Sequence, residues 1–553
     1  MISSTRYWFL IALVVLVYIA GMFVTLFEND SAQFAVMAMR MVQENDFLTL
    51  IKGTEEYLDK PHMHYWLAAL SFKLFGINEW AYRIPAILVT LLGAYSCYGL
   101  GNLLYNKDIG RFSALIFMTA QTIVLAVIDV RTDAVLTGFT IFSIWQLAAF
   151  VETNSIKNIA LGALGAGLAF STKGQIALVV IGISLFCHLA YTRKWKCLLN
   201  WKVVVALLVF AIAIAPMLYA YYNQFDLHPE KVIRGKDHRS GIFFIFWEQS
   251  FERLSGEGVG KNSSDFFFFF HTFLWIFLPW TVLALIAYWC RVKTFLKMRF
   301  AYLPQYEFLT LGAITVLFFI ISFAQFKLPH YMNILMPLYA ILSASYLYSL
   351  YRYDKHKVAN ILLGIQYFIL GIVFIFSLLI CFYVFKFEHF HGYLILVGVL
   401  AGIIYFCLKR EAQYMRIITL SVCSSLLLNG VLNTHFYPRL LNYQAGSSMA
   451  EKVAEHKIPV DSIYKISERH TWALDFYNQN PVNIVSTDKL MEMQDIWLYA
   501  TDKELDKLSS EGFHWHEQIT VDQFRITRLQ FKFLNPHTRQ KKLERMHLVH
   551  LKH

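Results

Sequence analysis

Long apolar segments recur along almost the whole chain, and they constrain its fold more than any other feature. A helix that crosses a bilayer needs about 20 apolar residues, and we count about 13 segments of roughly that length. Hydrophobic residues make up 57% of the 553 residues and charged residues only 16%, with a mean hydropathy of +0.46. This composition excludes a soluble globular protein and predicts an α-helical polytopic membrane protein. The predicted spans are 7–27, 80–104, 111–128, 133–151, 158–172, 175–191, 201–222, 266–290, 304–323, 331–350, 358–385, 393–408 and 415–433.

Basic residues predict how the spans are oriented. With the N-terminus inside, the short inner loops are rich in Lys and Arg, and the short outer links hold little of either. An odd number of spans then places the end of the chain outside, so we predict a membrane domain, 1–435, and an extracytoplasmic domain, 436–553. No cleavage site follows the first span, which we interpret as an anchor. The net charge of +11 reflects this topology, so we expect no nucleic-acid partner.

The first long outer region, 28–79, carries an acid and a cation just outside the bilayer. Asp30 stands at the mouth of the first span, and Lys60 precedes Pro61. Apolar residues recur at helical spacing after each of them, which predicts two amphipathic helices on the membrane surface. A carboxylate near a cation suits proton abstraction next to a bound anion. The structural alternatives are a helix N-cap for Asp30 and a lysine whose stem follows the membrane surface for Lys60.

A second outer region, 223–265, is polar, of mixed charge and unusually long for a simple connection. Its aromatic middle predicts that it folds back onto the bilayer. Arg253 follows as a candidate site residue, and the structural alternative is an arginine in a solvated loop. Short outer links supply the other candidates, because ionisable residues close to membrane depth are functional candidates by default. These candidates are Asp133, Lys173, Lys327, His330 and Tyr331. The two lysines can equally extend along the membrane surface.

The predicted extracytoplasmic domain has the pattern of a small α/β unit. Short strands are predicted at DSIYKI, VNIV and DIWLYA, and Thr501 with Glu504 predicts a capping box that starts a helix. From Arg528 onward the chain is basic, which predicts a solvated tail or a contact with anionic lipid headgroups. All seven cysteines lie in predicted spans or inner loops, which argues against disulfides and Cys-based metal sites outside.

Several motifs occur in an order that resembles one known superfamily. The runs DSAQFAVMAMRM, DFLTL, YLDKPHMHYWL, EWAYRIP, RTDAVLT, TKG, FFHTFLWIFLPW and KLPHYMNILMP follow one another within residues 7–350. Together they resemble membrane glycosyltransferases that use polyprenyl-phosphate sugars: the bacterial aminoarabinose transferases of lipid A and the protein O-mannosyltransferases. The resemblance implies the GT-C fold, with many spans, an outer loop of surface helices and a soluble C-terminal domain.

The resemblance also implies a reaction and roles for the candidates. A hexose or pentose would pass with inversion from a polyprenyl phosphate to lipid A or a related glycolipid, on the outer face of the cytoplasmic membrane. Asp30 would take the acceptor's proton, and Asp133 would orient the acceptor or a nearby cation. Lys60, Arg253 and Tyr331 would bind the donor phosphate. No metal and no cofactor is expected, and the site and C-terminal domain would face the periplasm.

Two departures from the family pattern are visible, and other functions stay open. Ser31 follows Asp30 where the family commonly has Glu, and His62 stands where it has a second Pro, so we expect a different fit of donor or acceptor. The main alternative is a protein O-glycosyltransferase acting on exported proteins. A transporter or flippase would need charges near the midplane, broken helices and internal repeats, whereas these charges collect at outer span ends. The ordered motifs also disfavour a non-catalytic sensor or scaffold.

Overall fold

The structure is a computed structural model that describes residues 3–255, 262, 265–387 and 411–551, with a few further positions between 392 and 405. Helices cover the predicted apolar segments, apart from 393–408, most of which lies outside the described residues. The unbroken helices of the bundle are Ser4–Met22, Glu79–Leu104, Thr132–Thr153, Ile156–Lys173, Gln175–Thr192, Lys202–Tyr221, Leu309–Phe323, Met336–Arg352, His356–Leu379 and Gln413–Val431.

Two of the predicted spans are each built from two helices. Segment 111–128 corresponds to Lys107–Thr119 and Gln121–Ile128, which are bent by 55° at an extended Ala120. The amide of Gln121 is bonded to the carbonyl of Leu278 (3.0 Å) instead of continuing the helix. The other break, between Phe268–Ile276 and Thr281–Lys297, contains Pro279, which has no N–H to donate.

Within the described residues, eight helices are long and apolar enough to cross a membrane, or nine if the bent pair counts as one span. The chain is therefore a multi-pass membrane protein, as predicted. The figure of about 13 spans stays a prediction, because several helices are shorter than the usual length for crossing a bilayer. Short helical turns extend or connect the spans: Trp195–Leu199, Tyr222–Asp226, Pro329–Leu335, Ile380–Val384, Leu432–Phe436 and Tyr437–Leu441.

The first outer loop contains the two predicted amphipathic helices, Asp30–Gln43 and Met63–Phe75. A small antiparallel hairpin joins them, with β1 at Ile51–Lys52 and β2 at Glu55–Glu56. The helices pack through their apolar faces, where the rings of Phe34 and Tyr65 meet edge to face at 5.5 Å. Gly76, with φ 82°, ends the second helix.

The second outer region forms three consecutive helical pieces, Gly241–Phe243, Phe244–Glu248 and Gln249–Ser255. Asp226 anchors their start, because its carboxylate accepts hydrogen bonds from Ser240 and from the amide of Gly241 (3.0 Å). Trp247 and Phe251 of this region line the cavity described below, so the region lies against the bundle. The contact of its aromatic middle with the bilayer stays a prediction.

The C-terminal domain contains a five-stranded mixed sheet, as the predicted α/β domain requires. Its strands are β3 Ile463–Lys465, β4 Asn483–Ile484, β5 Ile496–Thr501, β6 Glu517–Gln523 and β7 Glu544–Leu551. The order across the sheet is β4-β3-β5-β7-β6. The accompanying helices are Ala445–Glu455, Trp472–Asn478, Thr487–Leu490, Asp502–Ser510, Phe531–Leu534 and Pro536–Arg539, with short turns at Val460–Ser462 and Gln540–Lys542. The capping box of Thr501 and Glu504 is present.

The prediction of a solvated tail was wrong for its last strand. Five of the basic side chains in this segment are exposed, as predicted: Arg528, Lys532, Lys541, Lys542 and Arg545. Strand β7 lies inside the sheet, pairing with both β5 and β6, and its residues Leu548 and Val549 are fully buried. Before it, the guanidinium of Arg539 donates to the carbonyls of Phe533 (3.0 Å) and Val384 (2.7 Å). The basic segment therefore packs back onto the bundle.

The C-terminal domain also packs on the start of the first outer loop. The amide of Leu26 donates to the hydroxyl of Tyr477 (2.9 Å), and the amide of Glu28 donates to the side chain of Gln444 (2.7 Å). These contacts hold the chain immediately before Asp30. The predicted boundary between residues 435 and 436 stays a prediction.

Candidate active site

Asp30 lies in the first turn of the helix Asp30–Gln43, at the outer end of the first span. The N-cap position belongs to Asn29, so the alternative interpretation of Asp30 as an N-cap was wrong. Its carboxylate is 43% exposed and pairs with the Nη1 of Arg131 at 3.1 Å. The residue is therefore accessible, and a second charged residue orients it.

Arg131 lies between three acids. Its Nη2 donates to Asp129 at 2.8 Å while its Nη1 contacts Asp30. Burial lowers the pKa of Arg131, but the carboxylates of Asp129, Asp30 and Asp133 outweigh that effect and raise the pKa above its usual value. Sequence analysis assigned no role to Arg131, because its pairing with Asp30 depends on tertiary structure.

Asp133 and Lys173 form a buried ion pair between two neighbouring helices. The Nζ of Lys173 lies 2.7 Å from Oδ1 of Asp133, and the side chains are 13% and 6% exposed. Lys173 also lies 4.8 Å from the centre of the Tyr331 ring. The interpretation of Lys173 as a lysine at the membrane surface is therefore wrong, because its charge is used inside the protein.

His330 connects these two groups of charges. Arg131 Nη1 donates to His330 Nδ1 at 3.3 Å, which leaves the ring proton on Nε2, 3.7 Å from Oδ2 of Asp133. The polar groups thus follow one another from Asp30 through Arg131, His330 and Asp133 to Lys173. This series of polar side chains runs from the accessible carboxylate of Asp30 to the buried ammonium of Lys173.

A largely apolar cavity of about 280 Å³ begins at Lys173, where this series of polar side chains ends. Lys60, Asp133 and Lys173 contribute its charged groups and Tyr331 a phenol, and the neutral polar residues Gln175, Gln249 and Ser250 also line it. Apolar side chains from three helices supply much of the remaining wall: Leu136, Ile176, Val179, Val180, Leu317, Ile320 and Ile321. One polar end and a long apolar wall suit an amphiphile that carries a negative headgroup.

Lys60 enters the cavity from the first outer loop. Its Nζ pairs with Asp59 at 3.0 Å. The second outer region covers this part, because Gln249 donates to the carbonyl of Asp59 (2.6 Å) and lines the cavity with Trp247 and Phe251. Sequence reasoning missed Gln249, a neutral residue among charged neighbours.

Two predicted site residues, Arg253 and Lys327, are not placed in the cavity by the described part of the structure. The backbone of Arg253 belongs to the helix Gln249–Ser255, but its side chain lies outside the described part of the structure. Lys327 does not line the cavity, because its Nζ donates to the carbonyl of Asp265 (2.6 Å).

Among the described residues, no group of three or more His, Cys, Asp or Glu side chains is placed to hold a metal ion.

His62, one of the departures from the family pattern, is buried away from the cavity. Its Nε2 lies 2.9 Å from the carbonyl of Leu48, and its ring packs against Trp66. Burial lowers the pKa of His62 to about 4, so the ring is neutral at pH 7. It holds the loop together without contacting the cavity.

Comparison with known proteins gives a consistent result. A family model described as dolichyl-phosphate-mannose-protein mannosyltransferase matches residues 59–219. The undecaprenyl phosphate-alpha-4-amino-4-deoxy-L-arabinose arabinosyl transferase 2 of Proteus mirabilis is 26% identical over 364 residues, which cover 64% of this chain and 61% of that protein. The corresponding transferase of Edwardsiella ictaluri is 26% identical over 355 residues, covering 61% and 59%. The match thus spans about three fifths of the length of these relatives.

The likeness in structure extends over the whole chain. The crystal structure of ArnT from Cupriavidus metallidurans bound to undecaprenyl phosphate superposes with a TM-score of 0.74 at 16% identity. The superposition covers 99% of this chain and 98% of that one. The chain therefore has the GT-C fold, and the resemblance indicated by its ordered motifs is confirmed.

Proposed function

We propose that the protein is an inverting glycosyltransferase that moves a sugar from a polyprenyl-phosphate donor to a lipid A-like glycolipid. The proposal rests on one observation: an apolar cavity and a series of polar side chains meet at the same place in the structure. An apolar cavity ends at Lys60, Lys173 and Tyr331, and a polar chain leads from there to the accessible Asp30. A lipid-phosphate sugar needs both an apolar wall for its chain and cations for its phosphate.

The phosphate is the leaving group and gains negative charge as its bond to the sugar breaks. Lys60 contributes a cation and Tyr331 a hydroxyl at the polar end of the cavity, where fixed donors stabilise developing charge. Arg253 remains a predicted third contact. The donor's isoprenoid chain would lie along the apolar helices that form the wall, among them Leu309–Phe323 and Gln175–Thr192.

Asp30 is the proposed general base. It would accept the proton of the acceptor hydroxyl or phosphate as the acceptor's oxygen attacks the anomeric carbon from the face opposite the phosphate. Arg131 orients the carboxylate, and Asp133 fixes Lys173 beside Tyr331. Asp133 is thus proposed to act through a cation.

The comparisons favour a pentose carried by undecaprenyl phosphate, and the resemblance to the lipid A transferases is the reason to place a lipid acceptor first. The matched relatives are named as aminoarabinose transferases that use undecaprenyl phosphate, and the structure similar over the whole chain is bound to undecaprenyl phosphate. The family model named for protein mannosyltransferases matches a shorter segment, and it is the reason to keep an exported protein as the second acceptor.

Mass spectrometry of lipid A and of exported proteins tests the function. Cells with the gene, without it, and with Asp30→Asn are compared. We expect a sugar on lipid A only with the wild-type gene. A sugar that appears on exported proteins instead would select the second acceptor. Unchanged glycosylation of both in the deletion strain would contradict the transferase function.

The same proposal places the protein in the cytoplasmic membrane with its site toward the periplasm. The C-terminal domain contacts the loop that carries Asp30, so the domain and the site lie on one side of the membrane. A reporter fused to the C-terminus should be active only if it is exported. A reporter that works only in the cytoplasm would contradict the orientation predicted from the basic loops.

A further inference from the structure

Arg83 is a charged residue buried at the outer ends of the spans. It does not line the cavity, so the proposed function assigns it no role. Its side chain is 0% exposed. The Nε donates to the carbonyl of Ile128 at 2.8 Å, Nη1 to the carbonyls of Met22 (2.9 Å) and Val24, and Nη2 to the carbonyl of Thr25 (3.3 Å). All four acceptors are backbone carbonyls.

These carbonyls belong to the ends of two helices and to the segment that follows one of them. The helix Ser4–Met22 ends at Met22, and Val24 and Thr25 lie in the non-helical segment that follows it. The helix Gln121–Ile128 ends at Ile128. The last carbonyls of a helix have no partner within it and carry partial negative charge. The planar guanidinium has five N–H donors in a fixed fork, so one arginine can bond both helix ends and be solvated by them.

Each of these helix ends leads directly into an acid-bearing segment. From Thr25 the chain runs to Asp30, and from Ile128 it runs to Asp129 and Arg131. Farther out, Arg131 pairs with both Asp30 (3.1 Å) and Asp129 (2.8 Å). The two segments are therefore joined twice, by Arg83 at their base and by Arg131 at the site.

We propose that Arg83 is a positioning residue for sugar transfer: by holding the two helix ends together, it sets where Asp30 meets Arg131. This inference rests on the proposed function. Arg83 does not line the cavity, so its effect should fall on the catalytic step and spare donor binding. The sequence offered only the motif EWAYRIP, in which a single arginine gave no indication of its partners.

The test uses Arg83→Lys in the full-length protein. Lysine keeps the charge and much of the stem, but a single ammonium cannot reproduce the planar fork that bonds both helix ends. We expect kcat for transfer to fall about tenfold or more while KM for the polyprenyl-phosphate donor stays within about twofold, because a displaced base slows the reaction without altering the cavity. We also expect faster hydrogen–deuterium exchange in peptides covering 22–30 and 128–131.

Arg291→Lys is the matched control. Arg291 is also buried, but its guanidinium bonds Tyr105 (2.8 Å) and Ser345 (2.9 Å), away from the cavity. This control should lower thermal stability without changing kcat per folded molecule or exchange in 22–30. Normal kcat in Arg83→Lys, or unchanged exchange in both peptides, would overturn the positioning role. If the wild-type protein transfers no sugar, the proposed function fails, and the exchange comparison still decides whether Arg83 holds the two segments.

Discussion

At the scale of single residues, Asp30 makes the sharpest prediction. Asp30→Asn keeps the shape of the side chain and its capacity to accept from Arg131, but it cannot take up a proton. We expect turnover to fall by a factor of about 10² or more, in the range attributed to general bases. Thermal stability should change by no more than about 1 kcal/mol, because the ion pair is partly exposed.

The measurement is turnover in detergent with a polyprenyl-phosphate sugar, beside the unfolding temperature of the same preparation. Asp46→Asn is a suitable control, since Asp46 lies in the same loop and accepts from the amides of Leu48 and Thr49, away from the cavity. Near-normal turnover of Asp30→Asn would exclude Asp30 as the base.

The pair of Asp133 and Lys173 makes a second prediction at this scale. Removing one partner leaves the other charge buried without its counter-ion, which typically costs about 3–5 kcal/mol. Asp133→Asn and Lys173→Met should each lower the unfolding temperature, and the double variant should recover much of that loss. Activity should stay low in all three, because Lys173 no longer lies fixed beside Tyr331. Strictly additive losses of stability would show that the two side chains do not act as a pair.

At the scale of elements, the turn between two helices shapes the cavity. Gly174 joins Ile156–Lys173 to Gln175–Thr192 with φ +71°, and a Cβ there would lie 2.4 Å from Oε1 of Gln249. Gly174→Ala should therefore strain the turn and displace Gln249 from the carbonyl of Asp59. We expect the KM for the donor to rise about tenfold, because Lys60 follows Asp59.

Gly182→Ala is the matched control for Gly174→Ala. It lies in the helix Gln175–Thr192 with nothing within 4 Å of the added Cβ, so donor KM should not change. Equal KM values for wild-type and Gly174→Ala would show that the turn does not determine the fit of the donor.

The elements themselves could be predicted wherever the signal is local. Hydrophobic segments located the spans, and Thr501 with Glu504 located a helix start, because each signal lies within one stretch of sequence. Strand β7 escaped prediction because the basic residues that precede it suggested solvent, whereas its place between β5 and β6 depends on distant partners. The break at Ala120 was missed for the same reason, since the carbonyl of Leu278 replaces a helical bond there.

The same difference between local and tertiary signals separates the site residues that could be predicted from those that could not. Asp30, Lys60, Asp133, Lys173, His330 and Tyr331 were recognised as candidates because charged or hydroxyl groups are conspicuous at span ends. Their order in space was beyond prediction, and so were Gln249 and Arg83, whose roles follow from carbonyls contributed by other segments. Lys327 has the same sequence character as Lys173 but bonds a different region, which only tertiary structure distinguishes.

At the scale of the whole molecule, one carboxyl group joins the C-terminal domain to the loop of Asp30. The carboxyl oxygens of Glu28 each lie 3.3 Å from the amide of Ala473, at the start of the helix Trp472–Asn478. Burial raises the pKa of Glu28 to about 8; the Ala473 amide opposes this rise and the carboxylate of Asp475 adds to it. Burial also raises the pKa of Asp475, to about 6, and Lys465 is the nearby cation that opposes both shifts.

This arrangement predicts how stability depends on pH. Folded Glu28 keeps its proton up to about pH 8, whereas the unfolded chain releases it near pH 4.5, so the folded state binds more protons between these values. The free energy of unfolding should therefore fall as the pH rises from about 4.5 to 8 and level off above. Asp475 contributes in the same direction below about pH 6. Glu28→Gln has no proton to lose and should reduce this fall, most clearly between pH 6 and 8.

The measurement is the thermal unfolding temperature between about pH 5.5 and 8.5, with Glu44→Gln as the control. Glu44 is half-exposed in the same loop and pairs with Arg40, so its removal should leave the pH dependence of the wild type unchanged. A wild-type slope that persists in Glu28→Gln would mean that other groups link the two domains to pH. A reduced slope would show that the C-terminal domain holds the residues before Asp30 more weakly when Glu28 ionises, because the charged carboxylate must then be buried beside Asp475.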